Sequence, residues 1–364
     1  MKSLARALLG IQLFGLFILP AQAFTSFYVF GDSSSTTTDP LSQGPPSFYG
    51  KRWTNGRTWV EVLTQWQGLT YDSNKNWSYY GQYSSNLVAN VNQFAAPSDA
   101  NTALFAVWVN NADFVDYMNR FFTLPNPTNL TQWTTNMNLS LTNHFKAVTN
   151  LYAKGMRTLI LPNVVDITKI PEYNLYTDTN RKAFVRQRVI SYNTTLSTTW
   201  YYQVKSNCPN LTVYFVDVFS LMDDMIAHAA NYGLTNALSF GQPIDVIEDP
   251  SLVDKSLNGP GAIYVFWNYN SLTAKANMWI ADVAQRQLSS VQITGITSLG
   301  ASNQLDVINV PAGRSGVVEA TTNFVNWSFA GNVNTNFVSQ SIFLPVAGDQ
   351  QFYRLRFPFS WVWP

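Results

Sequence analysis

The chain has 364 residues, a formal net charge of +1 at pH 7, and charged side chains at only 12% of its positions. This sparse, balanced charge offers no basic surface for nucleic acid or for an anionic membrane, so neither is expected as a partner. Cys208 is the only cysteine, which excludes an intrachain disulfide framework and a cysteine metal site.

The first 23 residues have the order of a secretory signal peptide. Lys2 and Arg6 precede an apolar stretch over residues 7–19, and Ala21-Gln22-Ala23 has the small-x-small pattern of a cleavage site. The apolar stretch is too short to span a bilayer, and no later segment is long and apolar enough. We therefore expect an exported protein without a transmembrane segment, located in the periplasm, at the cell surface or in the medium.

Strand and helix patterns alternate over residues 24–289. Apolar runs typical of strands buried in a parallel sheet lie at residues 27–30, 103–109, 158–161 and 212–216. Helical periodicity lies at residues 59–66, 139–154 and 181–202, and a last helix is expected from an N-cap at Thr273 to about residue 288. The alternation predicts a three-layer, doubly wound α/β domain with a parallel sheet.

The pattern changes to short β-type runs in residues 290–364. Gly, Asn and Pro signals separate these runs, which lie at residues 291–296, 304–310, 316–320, 338–344 and 350–357. In the last run, Tyr353 and Leu355 alternate with Arg354 and Arg356, as in a half-buried antiparallel strand. We predict that residues 290–364 form a separate, small C-terminal β-sandwich.

A serine follows the first predicted strand directly, in Phe30-Gly31-Asp32-Ser33. Parallel-sheet proteins place their chemistry at the carboxyl ends of the strands. Gly31 permits a sharp turn, after which backbone N–H groups of a helical turn would face charge developing near Ser33. The Gly-Asp-Ser sequence alone fits both a nucleophile and a simple strand-to-helix turn.

Further segments resemble the sequence blocks of the GDSL, or SGNH, family of esterases and lipases. They are residues 49–61, residues 76–81 (Asn-Trp-Ser-Tyr-Tyr-Gly), residues 103–108, residues 161–166 and residues 264–267. The resemblance covers residues 24–289 and implies an SGNH-hydrolase-like fold. It also implies that Ser33 attacks an acyl carbonyl, while the N–H groups of Ser33 and Gly81 and an asparagine side chain hold the oxyanion. The implied ligand is a small acyl ester or an acylated carbohydrate.

The third block of the family reads Gly-x-Asn-Asp, whereas this chain reads Asn110-Asn111-Ala112-Asp113. Ala112 therefore stands where the resemblance places the oxyanion asparagine. Asn110 or Asn111 reaches that site only if the loop is shifted by one residue. The alternative is that Asn111 only ties the loop together.

The last block departs at the two residues that activate the nucleophile. The family reads Phe-Trp-Asp-x-x-His, whereas Asn268 stands at the aspartate position and Ser271 at the histidine position. An amide does not stabilise an imidazolium by charge, and a neutral hydroxyl does not take a proton from Ser33 near pH 7. The two histidines of the chain, His144 and His228, fall in helical patterns and give no metal-ligand spacing, so neither a metal nor a cofactor is expected.

Loss of a serine triad costs on the order of a million-fold in turnover, which is about 8 kcal/mol of barrier. The main hypothesis is therefore an exported GDSL-family-like protein whose turnover is impaired or lost but whose cleft still binds an ester. One alternative is an active carboxylic-ester hydrolase that uses Ser33 with a base from outside the motif. A second alternative is a non-enzymatic surface or binding protein.

Overall fold

The computed structural model describes residues 24–364, except for residues 123–128, 174, 236–237, 240–241, 347 and 349. The predicted signal peptide, residues 1–23, lies outside the described residues.

A four-stranded parallel sheet forms the centre of the α/β part of the chain. Its strands are β1 (Phe27–Gly31), β2 (Leu104–Trp108), β3 (Thr158–Pro162) and β4 (Thr212–Val216), hydrogen-bonded in that order. Every residue of β1 and β2 is buried, as expected for apolar strands covered on both faces. A parallel bridge joins Val29 of β1 to Asn76, on the side of β1 opposite β2. The chain therefore passes along this edge of the sheet before it enters β2.

Eight α-helices surround this sheet in the described part of the chain. They are α1 (Trp59–Trp66), α2 (Ser84–Gln93), α3 (Asn110–Phe121), α4 (Leu130–Ala153), α5 (Thr179–Thr195), α6 (Tyr201–Asn207), α7 (Val218–Ala227) and α8 (Ala274–Leu288). Helix α1 packs against α8 and α2 packs against α4, and the fold is the predicted three-layer α/β arrangement. A π-helical stretch, Leu196–Trp200, joins α5 to α6, so the single helix predicted over residues 181–202 is irregular near its end.

Local sequence explains the starts of the helices that flank the site. At α1, Thr58 and Glu61 form a capping box, and the Thr58 N–H donates to Glu61 Oε2 over 2.9 Å. At α8, the N–H of Ala276 donates to Oγ1 of Thr273 over 3.2 Å, so Thr273 is the N-cap that the sequence predicts. Helices α2 and α3 were not predicted, because polar residues interrupt their apolar periodicity. The helical pattern that the sequence shows before His228 corresponds to α7.

The abundant aromatic residues are mainly core residues. Six tryptophans are buried in the described part of the chain, namely Trp59, Trp66, Trp108, Trp133, Trp200 and Trp267. The rings of Trp59 and Trp108 meet edge to face with centroids 5.7 Å apart, which joins α1 to the end of β2. This aromatic core supports the edge of the sheet where Ser33 lies.

Two short hairpins precede α8. Strands β5 (Leu238–Ser239) and β6 (Gln242–Pro243) form the first, and β7 (Phe266–Asn268) and β8 (Ser271–Leu272) form the second. The second hairpin carries both positions where the catalytic aspartate and histidine of the resembled family would stand.

Residues 292–356 form two antiparallel three-stranded sheets. Their strands are β9 (Gln292–Ser298), β10 (Ser302–Ile308), β11 (Gly316–Thr321), β12 (Ser328–Val333), β13 (Gln340–Pro345) and β14 (Phe352–Arg356). The sheet orders are β13-β10-β9 and β12-β11-β14, and a small apolar core that includes Leu305, Val318 and Leu344 forms between them. This is the predicted β-sandwich. Strand β12 was missed because Ala330 and Gly331 give it little β-type character.

Candidate active site

A cleft opens at the carboxyl edge of the parallel sheet, where the segments after β1, β2 and β3 meet. It encloses about 840 Å³, including its open mouth. The lining combines aromatic, apolar and a few polar side chains: Asp32, Ser33, Ser34, Tyr80, Gly81, Tyr83, Trp108, Asn111, Ala112, Val115, Asn119, Val165, Ile167, Ile170, Glu172, Met222, Phe266, Asn270 and Leu272. The predicted sites Ser33, Gly81 and Asn111 are therefore brought together in one cleft.

Ser33 lies at the first turn after β1 and is half-buried. Gly31 is required just before it, because a Cβ there would lie 2.6 Å from Cβ of Ser35 and 2.9 Å from Oγ of Ser78. The Trp59 indole N–H donates to Oγ of Ser35 over 3.0 Å and holds the turn from the α1 side. The segment that follows is a turn and a long loop rather than the helical turn expected from the sequence, since the next helix begins at Trp59.

Two backbone N–H groups of the cleft are available to a ligand. Those of Ser33 and Gly81 make no hydrogen bond to any other residue that the structure describes. Gly81 adopts a φ of +73°, which favours glycine, and a Cβ added there would meet nothing within 4 Å. These are the two backbone donors that the resemblance assigns to the oxyanion.

The side chain of Asn111 lines the cleft and also fixes a neighbouring loop. Its Oδ1 accepts from the N–H of Val165 over 3.0 Å, which ties the end of β2 to the segment after β3. Asn110 points elsewhere, because its Nδ2 donates to the carbonyl of Pro162 over 3.1 Å. Ala112 lines the cleft without a side-chain donor, and its N–H bonds to Asp32. Of the two asparagines, Asn111 is thus the one at the cleft, and its tie to Val165 leaves the amide nitrogen as the remaining donor.

Asp32 is a buried carboxyl directly beside Ser33. Its Oδ1 accepts from the N–H of Ser34 over 2.9 Å, and the N–H of Ala112 also donates to it. Burial raises the pKa of Asp32 to about 6, and the nearby charge of Asp113 acts in the same direction. Asp32 therefore orients the turn that carries Ser33, and no cation among the described residues pairs with it.

The hairpin of β7 and β8 places Asn268 and Ser271 in buried positions. Oδ1 of Asn268 accepts from the N–H of Ser271 over 2.8 Å, so this side chain closes the turn rather than orienting a base. The hydroxyl of Ser271 donates to Oδ1 of Asn270 over 3.1 Å. A small cavity of about 230 Å³ has Ser33 and Ser271 among its lining residues. No imidazole reaches Ser33 from this side.

Neither histidine lies at the cleft. His144 is fully buried in α4, where its Nδ1 lies 2.8 Å from the carbonyl oxygen of Ser140, and burial lowers its pKa. His228 is 61% exposed, with its Nδ1 2.7 Å from Oδ1 of Asp224 on the surface of α7. Both belong to helices or their ends, and neither is among the residues that line the cleft.

Glu172 is a cleft residue that the sequence did not reveal. It lies in a 3₁₀ turn, Pro171–Tyr173, and its N–H donates to the carbonyl of Tyr269 over 2.8 Å. Asn270 Nδ2 lies 3.5 Å from Oε2 of Glu172, and burial raises the pKa of this carboxyl. The segment after β3 has no periodicity that indicates which of its side chains turns inward, so only the fold brings Glu172 to Asn270.

Within residues 24–364, apart from the gaps given above, no group of three or more His, Cys, Asp or Glu side chains is arranged to hold a metal ion. No helix of these residues is long and apolar enough to cross a bilayer.

Fold and cleft together define a three-layer α/β protein with a serine at the carboxyl edge of its sheet. No family model and no curated protein match the chain. Among solved structures, an acetylxylan esterase from Geobacillus stearothermophilus is 11% identical over 74% of this chain and 96% of that chain, with a TM-score of 0.39. An α/β hydrolase from the metagenome of Lake Arreo, Spain, is 13% identical over 72% and 94%, with a TM-score of 0.38.

A gut microbial diltiazem-metabolizing enzyme is 10% identical over 86% of this chain and 62% of that chain, with a TM-score of 0.43. Because identity is this low and the TM-scores lie below 0.5, these similarities carry no functional weight. The function proposed below rests on the residues of the cleft.

Proposed function

We propose that this chain is an exported GDSL, or SGNH, hydrolase-like protein that binds a small acyl ester or an acylated carbohydrate and has impaired or lost turnover. One observation carries the proposal: the cleft has a serine and backbone donors suited to an ester, but it has no histidine to act as the base. Ser33 and two free backbone N–H groups line one cleft, while Ser271 stands where an imidazole is needed.

The binding part of the proposal rests on the donors at the cleft. The N–H groups of Ser33 and Gly81 and the amide of Asn111 are suited to an acyl carbonyl oxygen, because uncharged N–H donors pair with such an oxygen without a cation. Apolar side chains such as Val115, Ile167 and Met222 supply the wall for an acyl chain.

The loss of turnover rests on the hydroxyl and amide at positions 271 and 268. Without a general base, Ser33 stays protonated and is a weak nucleophile. The remaining oxyanion donors and substrate binding sustain at most about a thousand-fold acceleration over water. We therefore expect binding without efficient hydrolysis.

A turnover assay with p-nitrophenyl acetate tests the catalytic half. The wild-type protein should hydrolyse this ester no more than about a thousand-fold faster than buffer alone, since only the oxyanion donors remain. Efficient turnover that disappears in the Ser33→Ala variant would overturn the proposal in favour of an active hydrolase. In that case the carboxyl groups of Asp32 and Glu172 would be the candidates for its base, as the acidic side chains that line the cleft.

Calorimetric titration with phenyl acetate tests the binding half. Ala112→Leu places a larger side chain in the cleft and should abolish binding. Ala153→Leu makes the same change at the exposed end of α4 and should leave binding intact. No binding by the wild-type protein would refute the retained ester cleft and favour a surface protein without this ligand.

A further inference from the structure

The cleft has an acidic lining without a basic counterpart. Asp32 and Glu172 are its acidic side chains, and none of its described lining residues is Lys, Arg or His. Asp32 accepts hydrogen bonds from backbone N–H groups, and Glu172 accepts from two asparagine side chains. Both carboxyl groups thus accept hydrogen bonds only from uncharged donors. No cation among the described lining residues would balance the charge of an ionised carboxylate in this cleft.

Four aromatic side chains are among the residues that line the same cleft. Tyr80 and Tyr83 are 37% and 38% exposed and line the cleft together with Trp108 and Phe266. The faces of such rings attract a cation placed within about 6 Å of the ring centre. An acidic side chain among aromatic rings is the combination that binds ammonium groups, since the carboxylate supplies the charge and the rings cover the carbon atoms.

Building on the proposed ester-binding function, we propose that the ligand of this cleft carries a cationic nitrogen in its alcohol part. This nitrogen pairs with Glu172 and is covered by Tyr80 and Tyr83. The acyl group then lies toward Ser33 and Gly81. An ester of a quaternary amino alcohol and an ester of an amino sugar share this chemistry.

The pairing also relieves a cost built into the cleft. Burial raises the pKa of Glu172, which means that the fold disfavours its charged form. A bound cation offsets this penalty and draws the carboxyl into its ionised state. An anionic ligand, in contrast, adds a like charge to Glu172 and Asp32 and is excluded.

Matched ester pairs test the proposal by titration of the wild-type protein, followed by tryptophan fluorescence because Trp108 lines the cleft. Acetylcholine and 3,3-dimethylbutyl acetate have the same shape and differ in charge. 6-O-acetylglucosamine and its N-acetyl derivative form the corresponding sugar pair. We expect the cation of at least one pair to bind about tenfold or more tightly than its neutral partner.

Two carboxyl-to-amide changes separate the cleft from general surface charge. Glu172→Gln should reduce the preference to less than about threefold, while Glu248→Gln, an exposed glutamate outside the cleft, should leave it unchanged. The pair that shows the preference identifies the source of the cation.

Equal affinity for charged and neutral partners, or a preference that survives Glu172→Gln, would overturn the inference. If all four esters still bind, the proposed ester-binding function stands and only the charge preference fails. If none of them binds and phenyl acetate does not bind either, the proposed function fails with it.

Discussion

At the scale of single residues, the site depends on what stands next to Ser33 rather than on Ser33 itself. The serine, its turn and the two free N–H groups are all present. The side chain at position 271 is a buried hydroxyl that bonds to Asn270. A hydroxyl at that place does not take up a proton near neutral pH, so under the proposed function positions 268 and 271 together withhold efficient turnover.

Asp32 makes the stability of the protein depend on pH. Its pKa is about 6 in the fold and 3.8 in its ordinary state, so the folded protein binds more protons than the unfolded chain between these values. Stability therefore falls as the pH rises through that window, by about 3 kcal/mol for a shift of this size.

Asp32→Asn should remove this pH dependence, because an amide oxygen still accepts from the N–H groups of Ser34 and Ala112 but carries no charge. The free energy of unfolding of the variant, relative to that of the wild type, should increase by up to about 3 kcal/mol as the pH rises from 4 to 7. Urea unfolding at several pH values measures the difference. If the free energy of unfolding changed with pH in the same way in both proteins, the fold would not raise the pKa of Asp32.

At the scale of elements, the hairpin of β7 and β8 decides whether the cleft can be active. Asn268 closes its turn through the N–H of Ser271, and a carboxylate at position 268 would accept the same bond. The cavity of about 230 Å³ that Ser33 and Ser271 line offers space for part of a larger side chain. Under the proposed function, this hairpin is therefore the place where a base can be introduced.

The double change Asn268→Asp and Ser271→His should restore ester hydrolysis that depends on Ser33. An increase of about a hundredfold or more in turnover of p-nitrophenyl acetate is expected, since a positioned general base contributes about this much. Asn268→Asp alone is the control and should give no increase. A double variant that folds and binds phenyl acetate without hydrolysing it would show that the donors around Asn111 do not hold the oxyanion.

At the scale of the whole molecule, the C-terminal unit is fastened to the α/β unit. Arg314 pairs with Asp282 of α8, and its guanidinium lies 4.9 Å from the ring centre of Trp66 of α1. Beyond β14, the ring of Phe359 stacks on that of Trp279 with centroids 3.6 Å apart. The C-terminal unit thus contacts both α1 and α8 through Arg314, and the chain end packs on α8.

Arg314→Met should destabilise the protein by about 2 to 4 kcal/mol, because it leaves the buried carboxylate of Asp282 with only the exposed Arg286 as partner. Arg286→Met removes a charge from the same carboxylate at a position that is 64% exposed, and should cost less than about 1 kcal/mol. Urea unfolding compares the two variants. Similar losses in both would mean that the Arg314 pair does not fasten the two units together.

The sequence determined the fold class and the identity of the serine. Apolar runs without alternation mark strands buried on both faces, and these runs became β1 to β4 within a few residues of the prediction. The change of pattern after residue 289 likewise predicted the β-sandwich. Polar helices such as α2 and α3 escaped prediction because tertiary packing, rather than their own periodicity, stabilises them.

Only the tertiary structure decided what surrounds Ser33. Glu172 and Asn270 are 98 positions apart and meet because the β3 loop folds over the β7 and β8 hairpin. The sequence left open whether Asn111 reaches the cleft, and the fold brings it there while tying it to Val165. Local patterns record which face of a strand or helix is buried, but loop side chains are placed by distant contacts, so the acidic, aromatic character of the cleft emerges only from the fold.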